Sequence, residues 1–292
     1  MLSSMASGRV VFITCKNKDI YPAFCDLLCE YFGISGRISA SDEWNKQEDL
    51  LWKKSGTAEE YVLSDISNAI NYAVKTPERN CFILIENVSM HNLIDYFSAF
   101  LDYANFPSEE HTVKFSEDVS LKMPQNICFL LMPKDDNFTE ELTPSIAHAG
   151  ILVDMVVSQC APNNNLANDE IKVISRLALA ELLDEAREKY FINESVWKKL
   201  DEFTEAVNAT ERFSIDNKSL LQIEKYTSVL MDCGGDESEA IINMFTAKII
   251  LLLKVCKAYK KDDGGKNIFG IIEKLFDDEN LSTIQKALMP GV

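Results

Sequence analysis

Apolar residues along this 292-residue chain follow two rhythms. In the first half, short unbroken apolar runs alternate with stretches of helical spacing. Val10-Val11-Phe12-Ile13-Thr14, Cys81-Phe82-Ile83-Leu84-Ile85, residues 127–132 and residues 151–157 are continuous runs. That is the pattern of strands buried on both faces of a parallel sheet. Residues 37–40 offer a shorter strand. Between the runs, Phe24, Leu27, Leu28, Tyr31 and Phe32 recur at helical spacing until Gly33 stops them. Tyr61, Val62, Ile66, Ile70, Ala73 and Val74 predict a helix over 59–75, ended by Thr76-Pro77. Leu93, Phe97, Phe100 and Leu101 predict another over 91–103. Strands alternating with helices imply an α/β domain, a parallel sheet with flanking helices.

The rhythm changes after Cys160-Ala161-Pro162-Asn163-Asn164-Asn165, a linker by its turn-forming residues. Everything beyond reads as helix, over 167–192, 194–209, 216–232, 236–260, 267–277 and 280–288. Breaks fall at Gly234-Gly235 and Gly264-Gly265. The expected organisation is an α/β domain over 1–160 and an all-α domain over 161–292.

Charge narrows the partners. Twenty-nine basic against 46 acidic residues give a net −17. A nucleic-acid groove needs clustered Lys/Arg to displace counterions. The nearest cluster, Lys257, Lys260 and Lys261, reads as a solvated helix end. No direct nucleic-acid binding is expected, whereas an acidic surface attracts a basic protein face. Eight cysteines without a Cys-x-x-Cys pair read as buried, reduced thiols, as in a cytoplasmic protein. His91, His111 and His148 have no ligand spacing, so no metal site is expected. MLSSMASGR lacks a signal-peptide core, and the apolar run over 249–255 is too short to span a bilayer.

The strand, loop and helix over 9–34 have the layout that opens a nucleotide-binding domain. The loop is Cys15-Lys16-Asn17-Lys18-Asp19-Ile20-Tyr21-Pro22. It holds no glycine, and no Gly-Lys-Ser/Thr follows. Without glycines the backbone N–H groups cannot close on phosphates, and without the Lys and Ser/Thr the charge and the Mg²⁺ ligand are missing.

Several strings, in order, resemble the AAA+ ATPases, and within them the branch of GTP-dependent restriction motor subunits of the McrB type. Ile38-Ser39-Ala40-Ser41-Asp42-Glu43-Trp44 running into Asp49-Leu50-Leu51 is similar to that branch's tryptophan and Asp-Leu-Leu-Gly loop, with Trp52 replacing the glycine. Residues 82–88 followed by Asp95-Tyr96-Phe97 resemble the Walker B strand and its next helix. Met123-Pro124-Gln125-Asn126, Asp135-Asp136 and Leu142-Thr143-Pro144 resemble the sensor strand and the segment before the arginine finger. Residues 213–226, with Ile223 and Tyr226, resemble the sensor-two helix, and Lys248-Ile249-Ile250-Leu251 a later Lys-Ile-Leu helix. The likeness spans about residues 9–255.

The resemblance implies a P-loop NTPase-like sheet followed by an all-α lid, and a ring-forming habit. It also implies that the nucleotide site has degenerated. Lys16, Lys18 and Tyr21 stand in the loop that lacks its glycines. Glu86-Asn87 stands where the family has Asp-Glu; the Asp would hold Mg²⁺ and the Glu would position water. Asn87 cannot take a proton. Pro133 replaces the sensor-one asparagine. His148-Ala149 replaces the Asp-Arg of the finger, a group worth roughly 10³–10⁵ in rate. Lys218 replaces the sensor-two arginine, keeping the charge without the bidentate fork. The expectation is a pseudoenzyme without a resident cofactor, a scaffold or regulatory subunit that assembles with itself or with an intact AAA+ partner. The alternative is an NTPase using ATP or GTP with Mg²⁺ at a non-standard site, with Lys16 or Lys18 near the phosphates and Glu86 on the metal. No serine elbow accompanies His148, so hydrolase chemistry of that kind is not expected. Trp44, Trp52 and Tyr61 are expected to pack in the core rather than to form a partner contact.

Overall fold

The computed structural model describes residues 9–14, 23, 33–54, 61–105, 112–114, 120–135, 142–154, 174–209, 214–255, 268–276, 282 and 284. The loop with Lys16, Lys18 and Tyr21, the helix over 24–32, the linker over 160–165 and most of the helix over 280–288 lie outside them. Two compact units are present. One comprises Gly8–Phe138 and Leu152–Glu181; the other comprises Met1–Ser7, Thr139–Ile151 and Leu182–Val292.

The first unit is built on a five-stranded, mostly parallel sheet. Its strands are β1 (Val10–Thr14), β2 (Gly33–Ser39), β5 (Asn80–Val88), β8 (Ile127–Pro133) and β9 (Gly150–Asp154), in the spatial order β2-β5-β8-β1-β9. β8 thus enters between β1 and β5, parallel to both. Continuous apolar runs make this arrangement stable: residues 81–85 and 127–132 are buried throughout, as strands covered on both faces must be. Helix α3 (Leu93–Asn105) supplies one cover. Phe97 and Phe100 lie 5.2 and 4.9 Å from Phe129 of β8 by ring centroid, each pair adding about 1 kcal/mol to the area buried. Asn126, just before β8, donates from Nδ2 to the carbonyls of Ala73, Thr76 and Arg79. It thereby ties the end of helix α2 (Asp65–Lys75) and the turn after it to the start of β8.

Helix α2 starts six residues later than the spacing predicts. Ser64 is the reason. It is extended, and its hydroxyl accepts from Ser67 N at 3.1 Å while donating to the Leu50 carbonyl, which fixes the N-cap there. Tyr61–Leu63 (β4) instead pairs antiparallel with Trp52–Lys54 (β3), beyond the short helix α1 (Gln47–Leu51). A second ribbon joins β6 (Thr112–Lys114) and β7 (Ser120–Lys122). Trp44 packs edge-on to Tyr96 at 5.6 Å. Trp52 does not pack in the core: it is 37% exposed on β3.

The second unit is helical in its described part, apart from the start of β9. α4 (Pro144–Ala149) precedes that strand, and the last residues of α5 (Arg176–Lys189) lead into α6 (Glu194–Asn208), α7 (Asn217–Asp232), α8 (Glu237–Met244), α9 (Leu251–Val255) and α10 (Ile268–Leu275). Phe245 stacks between Phe203 and Phe276, 5.2 and 4.9 Å away. The break at Gly234-Gly235 is a closed helix end: Gly235 N donates to Leu230 O and Gly234 N to Met231 O. Gly234 has φ +90, and a Cβ on Gly235 would stand 2.8 Å from Leu230 Cγ, so both places demand glycine. α8 and α9 are not one regular helix. Between them Phe245–Ile250 winds as a π-helix, a rare local widening. Of the cysteines described, Cys81 and Cys128 are buried thiols outside any disulfide, pushed up to about 11 and about 12 by burial. Cys233, expected inside, is exposed at the C-cap of α7.

Candidate functional site

Two places hold the residues singled out in the sequence, one in each unit. The first is the carboxyl end of the sheet. β2 and β5 run parallel with Ser39 opposite Glu86, which brings Arg37 to the Glu86 carboxylate. Arg37 Nε lies 2.7 Å from Glu86 Oε2, and the glutamate side chain is only 14% exposed. A carboxylate held this way already has its countercharge. The Glu86 carbonyl accepts from Ala40 N at 2.8 Å.

Asn87 follows in a left-handed conformation, φ 58; no other non-glycine among the described residues has a positive φ. The β5–β8 register shifts between Ile85 and Val88, so Asn87 sits on a bulge. Asparagine is among the few residues that occupy this region at low cost. Its Nδ2 donates to Ser39 Oγ at 3.2 Å. Pro133 closes β8 opposite Val88. Next to it, Lys134 pairs with Asp42 at 3.3 Å, an exposed and weak contact. The strand end thus holds one paired acid, one amide and one imino-ring residue. Neither Asn87 nor Pro133 can accept a proton from water. Among the described residues no group of three His, Cys, Asp or Glu side chains is placed to hold a metal.

The second place is the α4 corner of the helical unit. Thr143 caps α4 and Pro144 occupies its first turn, a favoured start. His148 and Ala149 form its last turn; His148 is half-buried and Ala149 buried. Lys248, at the middle of the π-helix, is fully buried. Its ammonium donates to the carbonyls of Ala147 at 3.2 Å, Gly150 at 3.0 Å and His148. Three donors meet three acceptors, at a helix end whose carbonyls lack helical partners and favour a cation.

Asp216, the N-cap of α7, accepts from Ser219 N at 2.8 Å, and Lys218 follows it. His148, Asp216, Lys218 and Lys248 are within electrostatic reach of one another. Burial, then the neighbouring Lys218 charge, lowers Lys248 to about 7, with Asp216 opposing both. Burial lowers Lys218 to about 8 against the pull of Asp216. Burial, then Lys248, lowers His148, with Asp216 opposing. For Asp216 burial acts upward, but the Ser219 hydrogen bonds, His148 and Lys248 outweigh it and its carboxyl is held low. Three bases here face one carboxylate.

The structure therefore groups Glu86, Asn87 and Pro133 in one unit and His148, Ala149 and Lys218 in the other, while Lys16, Lys18 and Tyr21 lie outside the described residues. Arg37 and Asp216 escape a reading of the sequence, because their partners depend on strand register and on a helix cap. Lys248 left a signal: it is the one charged residue in the apolar stretch over 245–253.

No protein-family model matches the chain, and no curated protein matches it by sequence. Solved structures do. A candidate ATPase from Cytophaga hutchinsonii is similar with a TM-score of 0.54 over 85% of this chain and 78% of its own, at 12% identity. The likeness is one of fold. With the sheet order above, it gives this chain a P-loop NTPase-like α/β fold, a mostly parallel sheet with flanking helices. Among the described residues no helix is long and apolar enough to cross a membrane.

Proposed function

We propose that this chain is a non-catalytic AAA+-like subunit, similar to the McrB-type branch, which serves as a scaffold or regulator by assembling with itself or with an intact AAA+ partner. In this reading an α/β domain over 1–160 is followed by a helical lid over 161–292. The observation that carries the proposal is at the end of β5: Glu86 is bound to Arg37 at 2.7 Å, and the next residue is an amide in a left-handed bulge. A hydrolase of this kind needs a free carboxylate for Mg²⁺ and a base for water. The residues present do not fit a bound Mg-nucleotide that turns over. His148-Ala149 lacks the guanidinium that would reach a neighbour's phosphate. An acidic chain of net −17 suits a basic protein face as partner.

The test is binding of labelled ATP and GTP, with and without Mg²⁺, followed by steady-state turnover. The expected result is no turnover in the wild type. Turnover that disappears in Glu86→Ala overturns the proposal and installs the alternative, an NTPase with a non-standard phosphate site. Co-purification from the native source tests the assembly part, with an AAA+ subunit expected among the partners.

A further inference from the structure

The end of the sheet where β1, β5 and β8 begin has no role in the reading above. Two arginines meet there on one residue. Arg9, just before β1, donates from Nη1 to the Gln125 carbonyl and, at 3.3 Å, to the Ile127 carbonyl. Arg176, the first residue of α5, donates from Nη1 to Gln125 Oε1 at 3.4 Å and from Nε to the Pro77 carbonyl at 3.0 Å. Its backbone N–H donates to the Glu78 carbonyl at 2.8 Å, which ties the start of α5 to the turn after α2. Arg79 stands in that turn and is exposed. Burial raises the Tyr103 hydroxyl, and Arg9 and Arg176 both act against it, so the two charges reach the same group.

Every acceptor of the Arg9 and Arg176 side chains is neutral. Among the described residues the ion pairs lie elsewhere, at Arg37–Glu86, Lys134–Asp42 and Lys189–Asp232, and Glu78 of the same turn pairs with none of the three arginines. Carbonyls fix where a guanidinium points but leave its charge in place, and like charges gathered in one corner repel. The start of α5 adds the positive end of a helix dipole. Acids outnumber bases 46 to 29 along the chain, yet this corner is positive. Leu177, next to Arg176, is 62% exposed.

We propose that this corner, with Arg9, Arg79, Arg176 and Leu177, is a docking surface for an acidic segment of a partner protein. Its carboxylates would take the guanidinium edges that the backbone carbonyls leave open, in charge-assisted and bidentate bonds. Arg9 and Arg176 are already held in position, so binding costs them little side-chain freedom. Leu177 supplies an apolar contact, which favours a protein segment over a bare polyanion. The surface lies at the end of the strands away from Glu86 and stands whichever way the nucleotide test falls.

The experiment is fluorescence anisotropy of a labelled hexaglutamate peptide on the full chain, in about 0.1 M salt, where charges are screened beyond roughly 10 Å. Binding tighter than about 1 mM is expected. Arg9→Gln combined with Arg176→Gln is expected to weaken it about tenfold, and Arg79→Gln about threefold. Lys198→Gln, at an exposed lysine of α6, is expected to leave it unchanged. No binding, an unaltered affinity in the double variant, or an equal loss in Lys198→Gln overturns the proposal. Labelled oligothymidylate or inorganic phosphate bound in the peptide's place overturns it in favour of nucleic acid or a free anion. Self-association abolished by the same variants, without peptide binding, overturns it in favour of a second copy. Where the double variant fails to fold, Arg79→Gln reads the same surface from an exposed side chain, and no loss in that variant overturns the proposal.

Discussion

The carboxyl end of β5 and the α4 corner balance charge in opposite ways. At the strand end, each acid meets one base, Glu86 with Arg37 and Asp42 with Lys134. At the corner, three bases share one carboxylate that also caps a helix. The first arrangement gives its acid a countercharge within hydrogen-bond distance. The second gathers its charges where burial acts on them. Of the two, the corner is the one whose groups shift most with their surroundings.

Removing the Lys248 ammonium should have the largest effect. Lys248→Ala leaves three buried carbonyls without their donor and a cavity where the side chain ran. The expected loss is about 3 kcal/mol, read as a lowered denaturation midpoint of the helical unit. A loss below about 1 kcal/mol breaks the contrast between the two places. The pH dependence comes next. Lys248, Lys218 and Lys254 all lie below their ordinary value through burial. Folding is hardest on them while they are protonated, so their cost is complete below the folded value and is relieved as pH rises toward 10.5. Stability of the helical unit should therefore rise from about pH 7 to pH 10, and Lys248→Met should remove the largest share of that rise. Thermal unfolding over that range checks it.

The sheet was legible because its strands are continuous apolar runs, and five such residues that follow Pro77 or Pro124 so closely favour a strand over a helix. The helices over 194–209 and 216–232 were legible as ranges, while their N-caps, Asn193 and Asp216, emerged only in the structure. The three-residue ribbons were not, since so short a strand carries no period; Tyr61 and Val62 read equally well as the first turn of a helix. The π-helix escaped because six mostly apolar residues fit 3.6 and 4.4 residues per turn alike. The candidate sites were legible only as residue types. That Glu86 is paired depends on the alignment of two strands 49 positions apart, and that Lys248 is satisfied depends on backbone carbonyls, which every residue has.

A smaller effect sharpens the reading of Asn87. If its place is conformational, Asn87→Gly should be close to neutral and Asn87→Ala should cost about 1 kcal/mol, the penalty for a Cβ at positive φ. Denaturation of the sheet unit measures both. Equal costs in the two variants would mean that the amide's bond to Ser39 Oγ, and not the backbone, holds the bulge.

The smallest effect on stability has the most to say about chemistry. Arg37 is 48% exposed, so Arg37→Ala should cost well under about 1 kcal/mol after solvent screening. It nonetheless releases the Glu86 carboxylate, the one acid at the strand end that sits where a metal ligand is wanted. If that pairing alone stood between this strand end and catalysis, freeing Glu86 would bring turnover of Mg-ATP or Mg-GTP. Under the proposed function it will not: Asn87 has no lone pair basic enough to take a proton from water at neutral pH, and Pro133 offers no donor to orient one. The expected outcome is therefore tighter Mg²⁺ binding at most, with turnover absent from both wild type and Arg37→Ala. A variant that hydrolyses nucleotide would show that the strand end was inhibited by its own ion pair rather than emptied of its chemistry.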